Sequence, residues 1–200
     1  MKDQPRTQAQ RSAATRDALV RAARPLFAAD GFGAVSAEAI ARAAGVTRGA
    51  MYHQFADKTE VYAAVLEVIE DEIMARISAG IADADQDDLV EVMKVGARIW
   101  LDACAEPAVH QIVLIEAPSV LGWERWREVS LRHGMGMVQA LIQGAIESGR
   151  IPAQPVLPLA HVLIGALDEA AIYLARSDGS ATTRTEVDTL IDRLVDALFA

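Results

Sequence analysis

Residues 35–56 read VSAEAIARAAGVTRGAMYHQFA, and the rest of the chain is best read outward from them. Ser36 stands just ahead of an apolar-periodic run, where a side-chain oxygen caps a helix start. Ala44-Gly45-Val46 interrupts the run as a tight turn, and Thr47 caps a second short helix over about 48–55. Ala39, Ile40, Ala43 and Val46 are placed facing inward, locking the pair. Met51 and Phe55, four residues apart, anchor the second helix to the same core. Its other face shows Arg48, Gly49, Ala50, Tyr52 and His53. Small residues at Gly49 and Ala50 let such a helix approach a major groove closely. The segment between Ser36 and Phe55 is therefore read as a helix-turn-helix.

Upstream, the pattern predicts a helix over about 12–29, with Leu19, Ala22, Ala23, Leu26 and Phe27 on one face and Gly31 as its stop. Pro25 lies inside it and removes the amide that would bond the Arg21 carbonyl, so a kink is expected there. Residues 1–11 are polar and are read as a disordered arm. Downstream, Asp57 caps a long helix over about 58–81, with Val61, Val65, Val68, Ile69, Ile73 and Ile77 as its apolar positions. Further helices are predicted over about 87–104, 107–117, 123–148, 156–176 and 183–199. The acidic stretch at 83–88 forms a loop and the next helix start, where acids complement the helix dipole. The final helix carries Val187, Leu190, Ile191, Leu194, Val195 and Leu198 as one stripe. The helix before it is apolar nearly all round and needs cover on several sides, for which a second subunit is a natural source. The dimer-interface candidates are Leu163, Leu167, Leu190, Leu194 and Leu198.

Composition agrees with an all-α chain. Of 200 residues 52% are hydrophobic and only 5% aromatic, rich in helix-forming Ala and Leu. The domain reading is an arm at 1–11, a DNA-binding head at 12–56 and a larger helical body at 57–200, about nine helices in all. The net charge of −9 is a poor start for a nucleic-acid binder, but its distribution matters more than its sum. Residues 1–60 hold nine Lys/Arg against six Asp/Glu, and 61–200 hold ten against twenty-two, giving +3 and −12. A basic end on an acidic body suits a molecule that presents one end to phosphates. Cys104 is the sole cysteine, read as a buried, inert thiol with no partners for a metal site. No segment approaches the ~18 uninterrupted apolar residues of a membrane span, so no membrane partner and a cytoplasmic location are expected.

The landmarks over 15–66 resemble those of the TetR family of bacterial transcriptional regulators. They are the Phe27 to Gly31 helix end with Phe32, the Ile40-Ala-x-x-Ala-Gly-Val core, Tyr52, Phe55 and Lys58. The likeness over 67–200 is weaker, resting on helix count, length and a closing helix pair. It implies a homodimer built on a four-helix interface, a palindromic double-stranded DNA operator, and a body pocket whose small-molecule effector controls DNA binding. By this resemblance Thr47, Tyr52 and His53 look like phosphate contacts, and Lys58 like another at the next helix start. Arg48 is the candidate reader of a guanine edge, while Gly49 and Ala50 can meet a thymine methyl. Ser36 caps its helix and is a candidate phosphate contact. The blander roles stay open: Tyr52 as a packing aromatic, Arg48 as a phosphate clamp, Ser36 as a cap alone.

In the body, Trp100, Trp123 and Trp126 offer aromatic walls, and His110, Glu116, His161, Asp168, Glu169 and Tyr173 are polar groups in apolar helices. Asp168 shares a face with His161. A carboxylate in an apolar setting is costly without a partner, which a planar cation could supply. The alternatives are that the tryptophans are core and that Asp168 or Glu169 pairs across the dimer. No cofactor is expected. An enzyme is disfavoured because His110, His133 and His161 lack a nucleophile or metal partner at motif spacing. A ligand-responsive repressor is the preferred function, with an activator lacking an inducer or a helical interaction module as alternatives.

Overall fold

The computed structural model describes residues 7–85, 88–177 and 180–198, and every regular element among them is a helix. In chain order these are α1 Gln8–Ala34, α2 Ala37–Ala43, α3 Arg48–Gln54, α4 Lys58–Ala82 and α5 Leu89–Ala105. They continue as α6 Pro107–Leu121, α7 Trp123–Glu147, α8 Val156–Arg176 and α9 Ala181–Leu198. Of the expected arm, residues 1–6 lie outside the described residues, as do positions 86–87 and 199 of the predicted elements.

Helix α1 differs from the sequence reading at its start and at Pro25, while Gly31 breaks it where a stop is expected. It starts at Gln8, not near residue 12, because Thr7 and Gln10 close a reciprocal capping box: the Thr7 hydroxyl accepts the Gln10 amide at 3.2 Å and the Gln10 side chain accepts the Thr7 amide at 2.9 Å. The expected kink at Pro25 is absent from the backbone dihedrals, and the break comes at Gly31 (φ 77°, ψ 162°). Arg21 and Pro25 are both exposed, so the carbonyl freed by the proline faces solvent and nothing forces the helix apart there. Gly31 has a double requirement. Its φ is left-handed, and a Cβ would sit 2.7 Å from the Glu116 carboxylate.

The head packs α1, α2 and α3 around Leu19, Ala23, Phe27, Ile40, Met51 and Phe55, all buried. Helix α4 closes this core with Val61, Tyr62 and Val65 and then runs on into the body, so one continuous apolar cluster joins the two. Phe27, Phe32 and Tyr62 meet there with ring centroids 5.0 to 5.9 Å apart. A second cluster around Ile142, Ala145, Ile151 and Leu163 fills the far end of the body. Within α6, residues His110–Glu116 are wound as a π-helix.

Helices α8 and α9 split their apolar residues between two faces. On α8, Ala160, Leu163, Ile164 and Ala171 point inward, while Val162 is 64% exposed and Leu157 and Tyr173 are exposed as well. On α9, Val187, Ile191 and Val195 are buried, whereas Leu190 is 62% exposed and Leu194 is exposed. The single stripe read from α9 is thus two stripes. By length and composition α8 is apolar enough to cross a membrane, which the count of uninterrupted apolar residues did not register. Its inner side instead packs on α5 and α7. Charged pairs bind α9 to α5: Lys94 to Asp196 at 2.5 Å and Arg184 to Asp102 at 2.7 Å.

Candidate nucleic-acid interface and internal cavity

The outward surface of the head is built by short-range chemistry. The Ser36 hydroxyl accepts the Ala39 amide and the Thr47 hydroxyl accepts the Ala50 amide, each at 3.1 Å, so both residues cap their helices as read. Between them Gly45 takes φ 69°, and the Gly45 and Val46 amides close the end of α2 onto the carbonyls of Arg42 and Ala41. Inward, Ile40, Met51 and Phe55 are buried as expected. Ala43 is exposed, and Ala41 takes the core position. The reason is register: Ala37, Ile40 and Ala41 follow the i, i+3, i+4 spacing that one face of a short helix allows.

On α3, Arg48, Gly49, Tyr52 and His53 are exposed and Ala50 is half-buried. The Arg48 guanidinium is ion-paired with Glu38 of α2 and lies 5.4 Å from the Tyr52 ring centroid. Lys58 does not fit the expected role. Its ammonium donates to the carbonyls of Phe32 and Val35 at 2.6 and 2.8 Å and rests 4.0 Å over the Phe32 ring. The side chain satisfies carbonyls at the end of α1 instead of reaching for a phosphate.

Glu116 is the counterpart of Lys58 on the other side of the same joint. Its carboxylate accepts the Phe32 amide at 2.9 and 3.1 Å, capping the segment that follows Gly31. The expected role as a ligand anchor is corrected: the acid fastens α6 of the body to α1 of the head. Two further bonds strengthen the joint. The Tyr62 hydroxyl donates to the Ile112 carbonyl at 2.6 Å, and Arg125 binds both Glu60 oxygens at 2.7 and 2.9 Å.

The body holds a cavity of about 110 Å³ between α4, α5, α7, α8 and α9. Its wall is aliphatic and methionine-rich, with Met74, Ile77, Met93, Met137, Leu163 and Leu167 among the lining residues. Of the expected interface residues, Leu163, Leu167 and Leu194 line the cavity and Leu198 packs on the second core cluster, because the inner face of α8 is the one turned to α5 and α7. Of the expected ligand residues, Trp100 and Asp168 line the cavity. Trp126 is buried in the core, 4.9 Å from the ring of Trp123, which is 64% exposed; neither reaches the cavity. His110 lies in the π-wound part of α6 with a buried Nε2. His161, Glu169 and Tyr173 lie on the outer face of α8, so Asp168 and His161 do not share a surface.

Two polar residues of the cavity wall, Glu70 and Ser130, carry no role in the sequence reading, and neither does Arg127, which pairs with Asp168 from outside the lining. Glu70 is 2% exposed and accepts a long 3.4 Å bond from the Ser130 hydroxyl. Burial pushes its carboxyl up to about 7, and the nearby His133 offsets only part of this. Burial also raises Asp168 to about 6 against the pull of Arg127. A signal for Glu70 was present: it stands on the apolar stripe of α4, four residues after Leu66 and three before Ile73. Cys104 is buried as read, and its thiol is held above the ordinary range by burial.

Comparison with known proteins covers both parts. The family described as bacterial regulatory proteins, tetR family, matches residues 19–65, and the tetracyclin repressor-like C-terminal domain matches residues 90–198. The transposon Tn10 TetC protein of Escherichia coli is 28% identical over 162 residues, covering 80% of this chain and 79% of its own. A TetR-family transcriptional regulator from Pectobacterium atrosepticum superposes with a TM-score of 0.82 at 31% identity, covering 98% of each chain. The fatty acid degradation regulator FadR from Bacillus halodurans shares the fold, with a TM-score of 0.69 at 19% identity over 100% of this chain and 97% of its own.

Proposed function

The chain belongs to the TetR family of bacterial transcriptional regulators, DNA-binding proteins with a ligand-binding domain and not enzymes, and we propose that it is a homodimeric repressor released from a palindromic operator by a small hydrophobic molecule. In this reading residues 12–56 are the DNA-binding head and 57–200 the ligand-binding and dimerisation body, working in the cytoplasm. Two α3 helices enter successive major grooves about one turn apart, ~34–36 Å. Arg48 reads a base edge; Thr47, Tyr52, His53 and Ser36 hold phosphates; Gly49 and Ala50 permit the close approach. Dimerisation uses the outer faces of α8 and α9, where Leu157, Val162, Tyr173 and Leu190 are exposed.

The observation that carries the proposal is that α4 serves both sites. Its first turns close the head core with Val61 and Val65, and its later turns line the cavity with Glu70, Met74 and Ile77. An occupant that favours one position of α4 therefore has a route to the spacing of the two heads, reinforced by the Glu116 and Tyr62 bonds from α6. The test is a mobility-shift assay on the DNA flanking the protein's own gene, repeated over a salt series. Binding as a dimer with a steep loss of affinity in salt is expected. Salt-insensitive binding, or none, excludes the regulator reading in favour of a helical interaction module. A reporter that rises when the protein is added identifies an activator instead.

A further inference from the structure

The cavity is apolar apart from a small polar group at one side, and the charges there do not balance. Asp168 is matched by Arg127, which reaches it from α7. His133 on α7 lies near enough to favour the ionised Glu70, but its Nε2 is 3.2 Å from Asp71 and its Nδ1 2.9 Å from the Val129 carbonyl, so neither ring nitrogen bonds to Glu70. Glu67 on the same helix as Glu70 faces Arg132 at 3.4 Å. Among the described residues no cation lies within ion-pair distance of Glu70, whose recorded bond is the 3.4 Å contact from Ser130. A carboxylate so deeply buried, opening on an apolar cavity, is an acceptor awaiting a donor.

The rest of the wall narrows the donor's chemistry. Among the described residues Trp100 is the one aromatic side chain in the lining, and one ring is not a cage for a quaternary ammonium or a flat cation. Met74, Met93 and Met137 supply flexible, polarisable surface that follows an aliphatic chain. We propose that the effector is an aliphatic amine with at least one N–H, its tail in the methionine-lined cavity and its nitrogen donating to the Glu70 carboxylate beside Ser130. This rests on the reading of the cavity as the effector site. Asp168 and Arg127 act as a neutral pair that closes the polar end. Burial raises the Glu70 carboxyl, and an ammonium beside it offsets that cost by favouring the ionised form.

The experiment titrates the full-length protein with n-octylamine, n-octanol and octyltrimethylammonium, read by Trp100-dependent fluorescence and thermal shift. Wild type is compared with Glu70→Gln and Gly134→Leu. Gly134 lines the cavity, and a side chain there points toward Ile164. The amine is expected to bind roughly tenfold or more tighter than the alcohol and the quaternary ion, as a charge-assisted hydrogen bond requires. In Glu70→Gln that preference should vanish while alcohol binding persists, which also shows that the variant is folded. Gly134→Leu should weaken amine and alcohol together. Equal binding of amine and alcohol to wild type, or a preference that survives Glu70→Gln, overturns the amine proposal and leaves the cavity reading standing. No binding of any probe, or binding indifferent to Gly134→Leu, overturns both.

Discussion

The head and the body use opposite arrangements of the same materials. In the head the interior is apolar and the chemistry is outside: Arg48, Tyr52 and His53 stand exposed on a seven-residue helix whose inner side is Met51. In the body the outer faces of α8 and α9 carry Val162 and Leu190, and the carboxylates Glu70 and Asp168 are inside. The difference follows from what each part meets. A surface that meets phosphates gains from exposed, mobile cations and pays nothing to desolvate them beforehand. A surface that encloses a small molecule gains from polar groups already stripped of water and held in place before the molecule arrives. The protein connects the two through α4, whose Lys58 binds the end of α1, and through α6 by way of Glu116 and the Tyr62 bond to Ile112.

The contrast breaks most visibly at the inner side of α3. Met51→Ala removes a fully buried side chain and should lower stability by roughly 2–5 kcal/mol, measured by chemical denaturation. A loss under about 1 kcal/mol would mean that the head core is not the frame that holds the exposed residues. The outer side should behave differently. Arg48→Ala and Tyr52→Ala should leave the melting temperature nearly unchanged and weaken operator binding, with roughly 1–3 kcal/mol lost for the arginine and base preference relaxed. Tyr52→Ala should weaken all operators alike. Equal losses for both variants on every operator would remove the division between reading and holding.

Glu70→Gln sharpens the comparison from the body's side through pH. The buried acid binds its proton more tightly folded than unfolded, with the folded value raised from 4.5 to about 7. Stability from this group is therefore fully present below about pH 4.5 and is lost as pH rises through about 7. Glutamine cannot ionise, so the variant should gain on the wild type between pH 5 and 8, by at most roughly 3 kcal/mol. Asp168, raised in the same direction, leaves part of the decline in both proteins. Parallel pH–stability curves for wild type and variant would show that burial does not raise the Glu70 carboxyl and that it ionises in the fold as it does in the unfolded chain. The smallest effect is expected outside: Lys94→Met should change stability by less than about 1 kcal/mol, since its Asp196 partner is largely exposed.

Much of the head was legible because its determinants are local. Caps at Ser36, Thr47 and Asp57 sit within three residues of the amides they bind, and inward anchors recur at helical spacing. The body was legible as helices and not as surfaces. A helix that is apolar all round, such as α8, has no sequence signal for which side faces a cavity, so Leu163 and Leu167 were assigned outward and are turned inward. The tryptophans misled for the same reason: Trp123, Trp126 and Trp100 are alike as residues and lie on the surface, in the core and at the cavity.

By itself the sequence determined the all-α class, the helix-turn-helix between Ser36 and Phe55 and the outward set on α3, because helix periodicity and capping act over a few residues. Only the tertiary structure decided that Lys58 and Glu116 belong to the joint and that Glu70 looks into the cavity. It also placed the exposed apolar faces of α8 and α9. Those assignments depend on which helices meet: Lys58 finds the Phe32 carbonyl 26 positions away and Glu116 the Phe32 amide 84 positions away, distances over which no local spacing in the chain carries information.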